Sequence, residues 1–116
     1  MAEELKEIEL NQFVEVAMQI ILHAGDARNF SSDALDALLN DEVEKADELL
    51  KQANAEVVEA HKLQTDLLQS EMKYEFTGKS SQVPLIFIHA QDTVMTIMSE
   101  VNMIKKMVAM YKKLNK

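Results

Sequence analysis

The chain holds no cysteine and no tryptophan, and only one proline and two glycines in 116 residues. Without cysteine there is no disulfide framework and no thiolate nucleophile, a composition that suits a reducing compartment. With so little glycine and proline there are few places to turn, so the elements must be long. Basic residues are scarce as well: 12 Lys and Arg stand against 20 Asp and Glu, leaving a formal net charge of −8. Binding nucleic acid requires clustered cations to neutralise phosphates, so this balance argues against nucleic acid as a partner. The only basic cluster is the C-terminal "IKKMVAMYKKLNK", which reads as lysines settling the negative end of a helix. An acidic body also suits steering toward a basic protein partner. No apolar run approaches the ~18 residues of a membrane span, and the opening "MAEELKEIEL" is acidic and periodic where a secretory signal is basic and then apolar. What remains is a single soluble domain over residues 1–116, expected in the cytoplasm, with no direct membrane insertion.

What the chain does have is helical periodicity. The first expected helix runs from about Glu4 to Leu39, with Val14, Met18, Ile21 and then Ala34, Leu35, Leu38 at helical spacing. Gly25 lies inside it at a cost of about 1 kcal/mol relative to alanine. It marks a bend, a close backbone approach or a break into two helices. In "LLNDEVE", Asn40 can end one helix and Asp41 can cap the next, with Glu44 at the capping-box offset. The second helix, about Glu42 to Lys73, carries Ala46, Leu49, Leu50, Ala53, Val57, Ala60, Leu67 and Leu68. "TGKSSQVP" is the loop, and Pro84 suits the first turn of the third helix, where its missing N–H does no harm.

The third helix, about Pro84 to Asn115, carries two apolar stripes. Phe87, Ala90, Val94, Ile97, Val101, Ile104 and Val108 form one. Leu85, Met103, Met107, Met110 and Leu114 form another, roughly 150° around the helix. The polar sector of Gln91, Asn102, Lys105 and Lys112 is narrow. One neighbouring surface cannot cover both stripes, so the second predicts self-association, or else a groove for a partner peptide. His89, Asp92 and Thr96 fall within about 60° of one another on that second stripe. An interface that merely had to stick would not hold an ionisable pair there, because desolvating a carboxylate is expensive unless it finds a partner.

Three chemical readings fit the pair. A lone helical histidine is most often a structural residue. A carboxylate-bridged metal site would require Glu-x-x-His pairs, but Ile20, Val58 and Ile86 stand three residues before His23, His61 and His89. In the third reading His89 is a nucleophile: neutral imidazole attacks phosphorus and the phosphorylated ring is a good leaving group, so one histidine can relay a phosphoryl group. Such transfers run mainly on positioning and electrostatics. Spacing alone does not choose among the three.

The segment "PLIFIHAQDTVMT" resembles the active-site segment of the lactose/cellobiose/chitobiose-type enzyme IIA of the bacterial phosphoenolpyruvate-dependent sugar phosphotransferase system, an apolar run followed by H-(A/S)-Q-D-H-L-M-T. The likeness extends through "IILHAGDARNFSSDAL" and "ADELLKQANAEVVEAHKLQTDLL" and so covers nearly the whole chain. It implies an all-α fold, an antiparallel three-helix protomer assembling into a homotrimeric bundle. It also implies a phosphocarrier: His89, attacking through Nε2, takes a phosphoryl group from the phosphocarrier HPr and passes it to a cysteine of the cognate IIB component, with the IIC permease engaged indirectly. Asp92 matches an aspartate that meets its symmetry mates on the trimer axis, where Mg²⁺ or another divalent cation can sit. Three converging carboxylates would raise one another's pKa unless protonated or neutralised by a hard cation, which agrees physically. The residue after that aspartate is often histidine in the family; here it is Thr93, whose hydroxyl can donate one hydrogen bond to a phosphoryl oxygen but carries no charge. Gln91 belongs to the motif yet points nearly opposite His89, so it would reach a phosphoryl group only on a neighbouring protomer. His61 matches a family position and reads as structural. The competing function is a non-catalytic helical adaptor or regulatory binding protein using its Met-rich face.

Overall fold

The computed structural model describes the backbone of residues 2–76 and 85–116 and the side chains of residues 11–69 and 85–116. Among the described residues there are three helices and no strand: α1 (Ala2–Leu39), α2 (Val43–Phe76) and α3 (Leu85–Leu114). The expected loop "TGKSSQVP" and the placement of Pro84 lie outside them. A 38-residue helix is about 57 Å long, and the molecule is accordingly a rod of 64 × 19 × 17 Å.

α1 packs along both other helices, more extensively on α2 than on α3. Its buried line is Ala17, Ile20, Ala24, Ala27, Ser31, Ala34, Ala37 and Leu38, the i, i+3, i+4 pattern of one helical face. This differs from the expected register in the first half of the helix. Met18 is 53% exposed, and Val14 and Ile21 are only partly buried. The physical reason lies in the alanines: Ala17, Ala24 and Ala27 meet Ala53 and Ala60 of α2 in one core cluster, and small side chains let the helices approach until methyl groups fill the seam. Larger neighbours on α1 are turned outward. On α2, Leu68 likewise sits at the margin, 36% exposed, while Leu67 is buried.

The first stripe of α3 is the one that packs. Phe87, Ala90, Val94, Ile97, Val101 and Val108 are buried, and Ile20, Val94, Ile97 and Val101 are the largest side chains fully removed from water. Burying each contributes roughly 1.5–3 kcal/mol. Phe13 lies against Phe87 with ring centroids 5.3 Å apart, and Arg28 pairs with Glu100, so α3 runs parallel to α1.

The α1–α2 turn departs from the expected capping. Glu42 N–H donates to Ala37 O at 2.9 Å and Asp41 N–H to Leu38 O at 3.0 Å, the paired bonds of a Schellman turn. Asp41 takes the left-handed position, with φ 60°. It therefore closes α1 rather than capping α2. The cap of α2 is Glu42, whose carbonyl accepts the first helical bond from Ala46 N–H at 3.0 Å. Asp41 spends its carboxylate on the Tyr111 hydroxyl of α3, which pins the turn to the far end of the third helix.

Gly25 neither breaks nor interrupts α1, and among the described residues a Cβ built there would meet no side chain or neighbouring helix within 4 Å. The expected close approach is absent within one chain.

Candidate functional site

α3 presents His89, Asp92 and Thr96 together on the side away from the core, all exposed. The buried positions Ala90, Val94 and Ile97 alternate with them along the helix. Packing of the first stripe is what turns His89 outward. The same outer face continues into Met103, Met107, Met110 and Leu114, exposed by 58, 43, 61 and 79%, and begins at Leu85, exposed by 80%. The two-stripe reading thus matches the protomer: one stripe is core and the other is uncovered. By the parallel registry of α1 and α3, His89 lies level with the turn of α1 that contains Glu15 to Met18.

Among the described residues, neither ring nitrogen of His89 has a hydrogen-bonding partner, and the carboxylate of Asp92 has none either. The imidazole is accessible from solvent, and nothing among the described residues selects its tautomer. Thr93 is partly buried, and its hydroxyl donates to the backbone carbonyl oxygen of His89 at 2.6 Å. That is the usual back-bond of a helical threonine to the residue four before it. With its hydrogen used in this way, Thr93 offers the imidazole no donor. Gln91 is partly buried on the edge of α3 nearest α2, well around the helix from His89.

The other histidines have structural settings. His23 Nδ1–H donates to Glu56 Oε2 at 2.5 Å, joining α1 to α2; the acceptor is a carboxylate, so Nδ1 carries the hydrogen. His61 is exposed on α2, with Thr65 back-bonded to its carbonyl at 3.0 Å.

The polar sector of α3 does more than face water. Lys105 Nζ donates to Asn54 Oδ1 at 2.5 Å, and Lys112 Nζ reaches both carboxylate oxygens of Asp47, at 2.7 and 2.8 Å, so this edge faces α2. On the opposite flank, Arg28 grips Glu100 with two parallel bonds of 2.9 Å each, and the charge-assisted bond and the charge of Glu100 raise the arginine pKa further above its ordinary value. None of the three pairs is apparent in the sequence, because the partners stand 51 to 72 residues apart. The only hint is that Arg28 ends "AGDAR", a motif with no other evident task.

A hard divalent cation prefers about six oxygen ligands. One chain offers Asp92 alone on this face, and among the described residues no three His, Asp or Glu side chains group so as to hold an ion. A metal site within a single protomer is therefore not supported.

Comparison with known proteins agrees with this geometry. Residues 15–112 match the family model described as the lactose/cellobiose-specific IIA subunit of the PTS system. The chain is 36% identical over 98 residues to the lactose-specific EIIA component of Staphylococcus epidermidis, covering 84% of this chain and 90% of that protein. Among solved structures, it is similar to the PTS cellobiose-specific enzyme IIA from Bacillus anthracis, with a TM-score of 0.75 and 33% identity, covering 87% of this chain and 89% of the other. It is also similar to a chain in the solution structures of the IIA(chitobiose)–HPr complex of the Escherichia coli phosphotransferase system, with a TM-score of 0.73 and 27% identity over 90% of this chain and 97% of the other.

Proposed function

The chain belongs to the lactose/cellobiose-specific IIA family of the sugar phosphotransferase system, and from that premise we propose that it is a phosphohistidine carrier working through His89. The observation that carries the reading is the setting of that imidazole: exposed, without a hydrogen-bonding partner among the described residues, and held on a long helix whose opposite face is locked in the core. Nε2 of His89 attacks the phosphorus of phospho-HPr; a new N–P bond forms as the donor's N–P bond breaks, and the electron pair leaves with the donor imidazole. In the return step a thiolate of the IIB component attacks the same phosphorus and His89 departs as a neutral ring. HPr as donor is supported by the complex recorded for the chitobiose relative; the IIB component as acceptor is implied by the phosphotransferase system to which the family belongs, and its cysteine is part of the proposal.

The protomer assembles as a homotrimer through the outer face of α3. Six apolar side chains there, Leu85, Met95, Met103, Met107, Met110 and Leu114, are each 43% exposed or more, and a contiguous apolar strip of this kind is characteristic of an association surface. Threefold packing would bring three Asp92 carboxylates together. They would have to share protons or a hard divalent cation such as Mg²⁺, and the cation's contribution would be to hold the assembly rather than to take part in transfer. A soluble carrier on the cytoplasmic side of the membrane is consistent with the absence, among the described residues, of any helix long and apolar enough to cross a membrane.

The test is intact mass after incubation with phosphoenolpyruvate, Enzyme I and HPr. Wild type should gain one acid-labile phosphoryl group and His89→Gln none. A folded wild-type protein that gains nothing beside active Enzyme I and HPr would instead be a non-catalytic adaptor.

A further inference from the structure

We propose that Gln64 is a positioning residue for the transfer: its buried carboxamide holds a water molecule in common with Gln91, and this link fixes the turn of α3 that presents His89. The inference rests on the phosphocarrier reading and adds to it a residue that cannot touch a phosphoryl group itself. Ser31 and Gln64 are the buried polar residues among those described, and Gln64 is only 6% exposed. Ser31 is satisfied, because its hydroxyl donates to the carbonyl oxygen of Arg28 at 2.9 Å. Gln64 makes no side-chain hydrogen bond to any described residue. A carboxamide carries two donor hydrogens and an acceptor oxygen, and leaving them unpaired away from water costs stability that leucine or methionine in the same space would not. One water molecule, able to donate twice and accept twice, satisfies such a group where a second polar partner lies within reach.

Gln91 is that partner. Phe87, Val94, Val101 and Val108 follow one another at heptad spacing and are all buried, so a heptad line keeps its bearing along α3. Gln91 shares such a line with Lys105 and Lys112, two and three heptads further on, and both lysines reach α2, at Asn54 and Asp47. Gln91 therefore borders the same seam; it is partly buried there and it too has no hydrogen-bonding partner among the described residues. The levels agree. Counting eight residues along α2 from Glu56, and eight back along α1 from its partner His23, sets Gln64 level with Glu15, and the Phe13–Phe87 contact carries that level across to His89. Counting ten from Asn54, and ten back from its partner Lys105, reaches Met95 instead. Gln91 stands between these two estimates. The polar ties between α2 and α3 at Lys105 and Lys112 lie in the second half of α3, and among the described residues the first half has none. A water shared by Gln64 and Gln91 supplies one there, behind the turn that carries His89, and sets the direction in which the imidazole points.

The experiment compares wild type with Gln64→Leu, which keeps the bulk and removes the amide, and with Gln64→Met as a second apolar variant. Both should melt within about 4 °C of wild type. Phosphorylation by phospho-HPr, followed by intact mass, should be slower by about tenfold in kcat with KM for phospho-HPr unchanged, because a buried residue redirects the imidazole without touching the donor. In wild type, the side-chain amide protons of Gln64 and Gln91 should both show nuclear Overhauser contacts to a long-lived water, and the Gln91 contact should vanish in Gln64→Leu. Transfer at the wild-type rate in both variants, or a Gln91 amide that meets no such water, would overturn the inference. A raised KM would assign Gln64 to the donor contact, and a larger fall in melting temperature with a matching loss of folded protein would make it a packing residue; either result overturns the inference as well. A wild type that accepts no phosphoryl group would remove the carrier reading and the positioning role with it, while the amide contacts would still decide whether the two residues share a water.

Discussion

The hydroxyl of Thr93 donates to the backbone carbonyl oxygen of His89, 2.6 Å away, and so is committed to the helix rather than to the imidazole it accompanies. Removing it should matter little to transfer. Thr93→Val is expected to change the rate of phosphorylation by phospho-HPr less than about threefold, because a back-bonded hydroxyl supplies no donor to the ring. Thr93→His is expected to lengthen the lifetime of the phosphohistidine, by roughly fivefold if the added imidazolium makes one exposed charge-assisted contact worth about 1 kcal/mol. Phosphorylation by phospho-HPr and hydrolysis of the phosphorylated protein near pH 6.5, each followed by intact mass, measure the two. Equal lifetimes in wild type and Thr93→His would show that a cation at this position adds nothing.

Met107 sits in the middle of the uncovered stripe, 43% exposed. Met107→Glu should leave the protomer's helix content intact and abolish or greatly weaken assembly, since each copy would bring a carboxylate into a face that has to lose its water. Sedimentation velocity across a dilution series reads this directly. The opposite outcome, an assembly as stable as wild type, would mean that the methionine ladder faces solvent in the oligomer.

Tyr111 donates to Asp41, and that bond, followed by desolvation and the carboxylate's charge, raises the phenol pKa above its ordinary value of 10.0. The folded state thus binds the phenolic proton more tightly than the unfolded chain does. The stability from this contact is complete below the unfolded value and is lost as pH rises through the higher folded value. Melting temperature should fall as pH rises above about 10 in wild type, and less steeply in Tyr111→Phe. Parallel slopes would show that other groups govern the alkaline loss.

Asp41 also holds a left-handed backbone conformation, with φ 60°. Asp41→Ala should be destabilising by about 1 kcal/mol from that backbone cost alone, before the loss of the Tyr111 contact is added. Asp41→Gly should recover most of the backbone part. Urea unfolding of the two variants separates the contributions, and equal midpoints would argue against strain at this turn.

The long helices and the two faces of α3 are legible in the sequence because helical periodicity over thirty or more residues leaves little choice of register. The first stripe of α3 is the buried one and the second is exposed, as the spacing implies. The turn is harder to read. Asn40 and Asp41 both favour helix caps and left-handed backbone alike, and the choice falls to a tyrosine 70 residues away, which no local pattern contains. The register of α1 is hidden for another reason. Alanine is weak evidence of burial, so Val14, Met18 and Ile21 look like the core while Ala17, Ile20 and Ala24 fill it. At the site, the outward face of His89 and Asp92 follows from helical angle, whereas the Thr93 back-bond depends on a side-chain rotamer that spacing does not specify.

The alanine seam has a consequence for what the protein can discriminate. Where Ala17, Ala24 and Ala27 meet Ala53 and Ala60, the two longest helices touch through single methyl groups, and the whole rod is only 17 to 19 Å across its short axes. A body that thin has no inside in which to seat a disaccharide and feel the orientation of its hydroxyls. Everything it recognises, it must recognise on its skin, and what the outer face of α3 offers there is one imidazole amid methionines. As the phosphocarrier proposed above, it would be blind to the sugar at the end of its relay, and a single design could serve several transporters by changing which proteins its surface fits.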